Sequence, residues 1–293
     1  MPELPEVEIT ARLLDEALRG QVVEGAFAPG LATMQTFDPP LSALEGATLT
    51  GIGRRGKLFL VGFAGGKLAP VDGADADATL LIHLMSAGRL QLWDQRASMK
   101  DRSSRLLVRI AGGERELRLR EFGKKHAAWG RLLRPDALAE DPTLTTLGPE
   151  AWPDPPDLAI LPPRRTLRGA LRDQRVIAGI GRSWVDEILW EAQLAPLRRC
   201  GDLDEDERAR LRETIRVVLD RTLAGYAEQL SLPLPDKLPL PLQVHRQVGK
   251  PCPRCGDEIL RVSYESDEMA YCATCQTGGK PYKDRRFSRL LID

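Results

Sequence analysis

Two groups of residues in this chain are of types that do chemistry. The first is Met1-Pro2-Glu3-Leu4-Pro5-Glu6-Val7-Glu8. Removing Met1 leaves Pro2 with a free secondary amine beside the carboxylate of Glu3. Such an amine attacks an electrophilic carbon and forms an iminium ion, as an amine forms a Schiff base with a carbonyl. An α-amino group titrates nearer neutrality than a lysine, so more of it is unprotonated at working pH. The adjacent carboxylate can move the protons that the reaction needs. The same residues also suit an ordinary helix start, with Pro5 at the first helical position and Glu6 and Glu8 at the positive end of the dipole. The second group is Cys252-Pro253-Arg254-Cys255, then 16 residues, then Cys272-Ala273-Thr274-Cys275. That spacing is typical of four thiolates around one zinc on a small β-ribbon, and a closed four-Cys site makes the zinc structural. Gly256 provides the tight turn, and Ile259–Ser263 and Met269–Tyr271 the hairpin arms.

Three further features are less specific. Gly179-Ile180-Gly181-Arg182-Ser183 sits between two helical stretches and opens the second. Such a turn exposes backbone N–H groups at a helix N-terminus and suits phosphate, with Arg182 adding charge, but it also fits a plain helix–helix turn. Arg54-Arg55-Gly56-Lys57 lies at a hairpin whose Lys reaches a phosphate or a reacting base, or simply faces solvent. His83 lies on an apolar strand, where a hydrogen-bonded core histidine is the usual case. From Arg89 to Arg134 there are 13 basic against 5 acidic residues, a local net of +8 in a chain of zero net charge. A basic stripe is the footprint of phosphate binding or of a solvated surface.

The elements that must position these groups follow in order. Pro5 to about Arg19 has helical apolar spacing and ends at Gly20. Candidate strands are Thr48–Arg54, Lys57–Phe63, Thr79–Leu84, Arg89–Trp93, Arg105–Ile110, Glu116–Arg120 and Ala127–Leu133, with Ala69–Ala78 as a loose loop. Closely spaced strands split by turns predict a β-sandwich or barrel with one leading helix. Seven prolines between Asp141 and Pro163 exclude a helix or a central strand and mark a linker. Helices follow at about Thr166–Arg172, Ser183–Gln193 (with Ser183 opening a capping box) and Glu205–Leu230 (capped by Asp204). Ser231–Pro241 is again Pro-rich. The expected organisation is a catalytic β-sandwich domain at 1–135, a linker at 136–164, a helical domain at 165–243, and a zinc ribbon with basic tail at 244–293. The fold class is α+β multidomain.

Composition is that of a globular protein, 42% apolar and 29% charged. No run of about 18 apolar residues exists and the acidic N-terminus is unlike a signal peptide, so the expectation is a cytoplasmic protein without a membrane partner. Five cysteines without a signal peptide argue against a disulfide scaffold, and Cys200 reads as an ordinary thiol.

Together these pieces resemble the formamidopyrimidine-DNA glycosylase and endonuclease VIII family of base-excision repair enzymes, in its formamidopyrimidine branch. The likeness rests on the N-terminus, Arg54-Arg55-Gly56-Lys57, His83-Leu84, Arg118-Leu119-Arg120-Glu121-Phe122-Gly123, Gly179-Ile180-Gly181 with Asp186-Glu187, and the paired cysteines. The resemblance implies a monomeric bifunctional glycosylase and abasic-site lyase acting on oxidised purines, such as 8-oxoguanine and formamidopyrimidines, in double-stranded damaged DNA. It implies Pro2 as nucleophile at the sugar C1′, Glu3 as proton carrier, Glu6 as orienter of the N-terminus and Lys57 as a contact to the lesion nucleotide. Arg120 and Phe122 would fill the gap left by the extruded lesion, Arg120 facing the orphaned base. A helix-two-turns-helix would grip phosphate through Gly181, and the ribbon would enter the minor groove. Three departures stand out. The family's Met three residues after the His is Ser86 here, and Met85 would serve only through a one-residue strand shift. The phosphate-binding Asn is Arg182. The ribbon Arg five residues before the third Cys is Asp267, with Arg261 or the tail Lys280, Lys283, Arg285 and Arg286 as substitutes. Alternative expectations are a non-catalytic damaged-DNA-binding relative and a glycosylase preferring oxidised pyrimidines.

Overall fold

The alternating runs between residues 23 and 133 pair into two four-stranded antiparallel sheets. The structure is a computed structural model that describes residues 2–30, 32–68, 76–98, 100–122, 126–264 and 267–283. The chain divides into two units, one of Met1–Thr146 with Leu223–Leu238, the other of Leu147–Thr222 with Pro239–Asp293.

In the first unit, helix α1 (Leu4–Leu18) precedes strands β1 (Val23–Phe27), β2 (Ala47–Arg55), β3 (Leu58–Gly65), β4 (Asp77–His83), β5 (Gly88–Trp93), β6 (Ser104–Ile110), β7 (Glu116–Glu121) and β8 (Trp129–Leu133). The sheets are ordered β1-β6-β7-β5 and β2-β3-β4-β8. Their inner faces share one core, in which Phe59, Val61, Leu80 and Ile82 of one sheet join Leu106, Val108, Leu117 and Leu119 of the other. This is the expected sandwich. Each such side chain stabilises by about 1.5–3 kcal/mol through burial, so a truncation such as Phe59→Ala costs about 3–5 kcal/mol.

Helix α1 contributes Val7, Ala11, Leu14 and Leu18 to the same core. Its register over β2 is set by polar contacts. Asp15 accepts the Ile52 N–H at 2.7 Å and Glu8 pairs with Arg54 at 2.6 Å. Successive contacts, from Asp15 to Glu8, step along β2 toward the β2–β3 hairpin, so the helix N-terminus runs toward Lys57. Strand β1 was not expected from the sequence. It lies at a sheet edge, holds Gly25, and shifts register between Val23 and Gly25, so its alternation is broken. Of the expected loop at Ala69–Ala78, residues 69–75 lie outside the described residues, and Asp77 and Ala78 already belong to β4.

The sandwich is followed by the short helices α2 (Pro135–Ala139) and α3 (Pro142–Thr145). The Pro-rich stretch is thus partly helical. Asp141 caps α3 through the Thr143 N–H at 2.8 Å, and Pro142 occupies the first helical position, where its missing N–H costs nothing and its φ is preset. In the second unit come α4 (Leu167–Leu171), α5 (Arg182–Glu191) and α6 (Glu205–Gln229), whose residues from Leu223 onward group with the first unit. The expected Asp204 cap is present, with Glu207 N–H donating to Asp204 at 2.7 Å and Asp204 N–H to Glu207 at 3.1 Å. For α5 the cap is Gly181 and not Ser183, because the extended residue lies two positions earlier. The chain closes with β9 (Ile259–Tyr264), β10 (Asp267–Cys272) and α7 (Ala273–Thr277). Among the described residues no helix is long and apolar enough to cross a membrane.

Candidate active site

Pro2 stands one residue before the helix cap, and Leu4, not Pro5, takes the first helical position. Glu3 is the N-cap of α1, its carboxylate accepting from the Glu6 backbone while Glu6 Oε2 accepts the Glu3 N–H at 2.8 Å. This reciprocal box satisfies donors that a helix start leaves orphaned. The helix-start reading and the chemical reading therefore describe the same residues: the cap holds a carboxylate next to Pro2. Both acids are buried, Glu3 at 3% and Glu6 at 5% exposure. The other oxygen of Glu6, Oε1, accepts from the hydroxyl of Tyr226 at 2.9 Å. Tyr226 is itself buried, and burial followed by the nearby Glu6 charge pushes its hydroxyl well above the usual tyrosine range. It therefore stays a donor.

Lys57 follows Gly56, whose φ of +56° makes the tight β2–β3 turn, a conformation that favours glycine. Lys57 is buried at 7% exposure, unlike a solvent-facing turn lysine. His83 sits opposite Leu58 on β4 and stacks on Trp129 with ring centroids 5.7 Å apart. Burial, and secondly the charge of Lys57, lower its pKa to about 4. The Met85 N–H donates to His83 Nδ1 at 3.2 Å, which puts the imidazole proton on Nε2. Met85 Sδ lies against the same nitrogen.

Strand β4 shows no one-residue shift. Strand β4 ends at His83 in unbroken register with β3 and β8, and Met85 then adopts φ +49° in the turn beyond it. A left-handed residue leaves the strand's alternation, at a cost of about 1–2 kcal/mol for a side chain with a Cβ. That turn meets the end of β7, where the Phe122 N–H donates to Ala87 O at 3.4 Å. Phe122 is 38% exposed and Ser86 is also exposed. The Arg120 guanidinium carbon lies over the rings of Trp93 and Phe122, at 4.8 and 4.7 Å. Gly123, which closes the Arg118–Gly123 motif, lies outside the described residues.

In the second unit Gln174 holds the start of the Gly179–Ser183 turn. Gln174 accepts the Gly179 N–H at 2.9 Å and donates to Ile180 O at 2.7 Å. Gly179 has φ +108°. With Gly181 as cap, the first turn of α5 presents its N–H groups beside an exposed Arg182, an arrangement that suits an anion. Asp186 and Glu187, on the buried face of α5, join the helices to the ribbon. Asp186 binds Arg168, His245 and the Ala270 N–H, and Glu187 accepts the N–H groups of Gln243, Val244 and His245.

Cys252, Cys255, Cys272 and Cys275 bring their sulfurs within 4.8 Å of one another, with Cys255–Cys272 at 3.4 Å and Cys252–Cys275 at 3.9 Å. Four thiolates at tetrahedral zinc stand about 3.8 Å apart, so the cluster fits a metal of that kind. Gly256 has φ +82° after the first pair, and the two ribbon strands pair from Ile259↔Cys272 to Tyr264↔Asp267. The Trp190 indole N–H donates to Cys252 Sγ at 3.4 Å. Arg285 and Arg286 of the basic tail lie outside the described residues.

Sequence reasoning did not find Tyr226 as a partner of Glu6. Tyr226 falls at a buried position of α6 otherwise held by apolar residues such as Leu219 and Leu223. Sequence reasoning equally missed Asp101, Ser103, Gln91 and Asp236 around Arg120. A Tyr on an otherwise aliphatic helix face is the one signal that was present.

Two family models match the chain, the formamidopyrimidine-DNA glycosylase N-terminal domain over residues 1–124 and the formamidopyrimidine-DNA glycosylase H2TH domain over residues 147–232. A formamidopyrimidine-DNA glycosylase from Moorella thermoacetica is 32% identical over 89% of this chain and 94% of its own length. A formamidopyrimidine-DNA glycosylase-like protein of Mycobacterium tuberculosis is 39% identical over 53% of this chain and 99% of its own. Among solved structures, the Lactococcus lactis enzyme bound to DNA containing N7-benzyl-Fapy-dG has a TM-score of 0.79 at 24% identity. It covers 94% of this chain and 100% of that one, which shows a shared fold.

Proposed function

The chain belongs to the formamidopyrimidine-DNA glycosylase family, and we propose that it removes oxidised purines from double-stranded DNA and then cleaves the abasic site. The observation that carries this reading is the buried Glu3–Glu6 pair immediately behind Pro2, held by Tyr226. A capping box alone does not call for burying both carboxylates or for a tyrosine hydroxyl on one of them.

In the proposed reaction the Pro2 amine attacks C1′ of the lesion nucleotide. The C1′–N bond breaks and the base leaves with a proton. Glu3 delivers a proton to the ring oxygen O4′, the sugar opens, and C1′ becomes an iminium with Pro2. Loss of a C2′ proton expels the 3′ phosphate, and a second elimination expels the 5′ phosphate. Water then hydrolyses the iminium and frees Pro2. Glu6 accepts the Glu3 N–H and so holds the chain that carries Pro2. Lys57, buried and close enough to lower the pKa of His83, contacts the lesion nucleotide. Arg120 and Phe122, with His83 and Met85 on the adjoining turn, fill the space the lesion leaves in the stack. Gly181 and Arg182 take a DNA phosphate. The four cysteines hold one structural zinc, which stabilises the ribbon and takes no part in bond breaking.

Borohydride reduction tests this. It should trap a covalent adduct with an abasic oligonucleotide, and Pro2→Gly should weaken it. Binding of the same DNA with neither adduct nor cleavage would mark a non-catalytic damaged-DNA-binding protein, a reading that Ser86 and Asp267 in place of the usual Met and Arg would then favour.

A further inference from the structure

Arg120 is held from more sides than a side chain waiting to enter DNA requires. Its Nε donates to Ser103 Oγ at 3.1 Å, and the Ser103 hydroxyl in turn donates to Asp101 Oδ1 at 2.6 Å. Its Nη1 donates to Gln91 Oε1 at 3.4 Å and to Asp236 Oδ1 at 3.2 Å. The guanidinium carbon lies over the rings of both Trp93 and Phe122. Asp101 is anchored as well: Ser104 donates to its second oxygen at 2.6 Å. Against desolvation, which raises its pKa, the Ser103 and Ser104 hydrogen bonds and the Arg120 charge hold Asp101 at about 2.

Asp236 is fixed by the chain that carries it. Gln91 Nε2 donates to Leu234 O at 2.9 Å and to Asp236 Oδ1 at 3.3 Å, and Arg89 donates to Asp236 O. The segment after α6 is thereby pinned along β5. The Asp236 side chain is 58% exposed. An exposed carboxylate beside a residue that approaches DNA repels phosphate, so its presence calls for a compensating role. A guanidinium has five N–H groups, and three are engaged here. Among the described residues the two on Nη2 have no partner.

We propose that Asp236, together with the Asp101–Ser103 pair, is a positioning residue that presets Arg120, leaving the Nη2 edge to read acceptors on the base opposite the lesion. The assignment rests on the function proposed above. An arginine ordered before binding loses less freedom on binding, and a fixed donor edge discriminates between base edges better than a mobile one. Asp236 also offsets the charge of a guanidinium that must sit beside a neutral base.

The test is single-turnover kinetics on four duplexes that carry one lesion opposite each of the four bases. Abasic single-stranded DNA, which has no opposite base, serves as the reference. Asp236→Ala should lower kcat/KM on the preferred duplex about tenfold, the scale of one charge-assisted hydrogen bond. It should also narrow the spread among the four opposite bases, while the loss on the single strand is several-fold smaller. Asp236→Asn, which keeps an acceptor oxygen, should recover part of both. In an Arg120→Ala background Asp236→Ala should add nothing. Additive losses, an unchanged spread, or an equal loss on the single strand would overturn the assignment. If Asp236→Ala fails to fold, Ser103→Ala carries the same prediction and Asp236→Asn a smaller loss in the same direction. A wild type that cleaves no lesion duplex overturns the proposed function and this assignment with it, whereas a cleaving wild type with additive variants overturns only the assignment.

Discussion

Replacing Tyr226 with Phe removes one hydroxyl and leaves the ring in its place among the buried residues. The hydroxyl donates at 2.9 Å to Glu6, a carboxylate with 5% exposure. A hydrogen bond to a charged acceptor contributes about 1.5–3 kcal/mol, and water has little access to replace it. Glu6 holds the Glu3 N–H through its other oxygen, so a carboxylate that turns away loosens the cap and the chain before it. If that energy goes into placing Pro2, the rate of borohydride trapping at saturating DNA falls roughly 10- to 150-fold, at 1.36 kcal/mol per factor of ten. If it goes only into folding, the unfolding free energy falls by the same 1.5–3 kcal/mol and the trapping rate is unchanged. Urea unfolding and rapid-quench trapping on the same preparation separate the two. We expect the trapping rate to fall. A lower unfolding midpoint with a wild-type trapping rate would refute the claim that Tyr226 acts on the N-terminus.

Other outcomes follow from the same contacts. Glu3→Gln keeps an oxygen to cap α1 but loses the charge, so stability should change by no more than about 1 kcal/mol while turnover falls roughly 10²- to 10⁴-fold; equal losses in both would show a purely structural residue. His83, with its pKa lowered to about 4, takes up a proton less readily folded than unfolded. Stability should therefore fall as pH drops from about 6.5 toward 4, and His83→Asn should flatten that slope in urea unfolding. Chelation should release one zinc per chain by elemental analysis and alter Trp190 fluorescence, because its indole N–H donates to Cys252 Sγ; metal-free protein with an unchanged spectrum would contradict the zinc assignment.

The local parts of the site were legible from sequence because their chemistry is local. Pro2 and Glu3 are neighbours, and the four cysteines carry their spacing with them. The strands of the sandwich read well where apolar residues alternate, and failed at β1, where Gly25 and a register shift break the alternation. What could not be read is pairing across the chain. Tyr226 and Glu6 are 220 residues apart, and Asp236 and Arg120 are 116 apart. Nothing in the pattern around either residue encodes its partner. The conformation of Met85 was hidden for a different reason: a left-handed non-glycine residue is favoured by its surroundings and not by its own propensity. Gly181 was read correctly as the turn residue, yet as the capping position it displaced Ser183, because a glycine in extended conformation is a competent cap that sequence rules rank below serine.

The measurement that bears most directly on the account is the identity of the trapped residue. The mature protein is reduced with borohydride on an abasic duplex, digested, and mapped by mass spectrometry. The sugar remnant is expected on the Pro2 nitrogen, with Met1 absent. A remnant on Lys57 or another lysine, or no adduct in a preparation that binds the duplex, would contradict it.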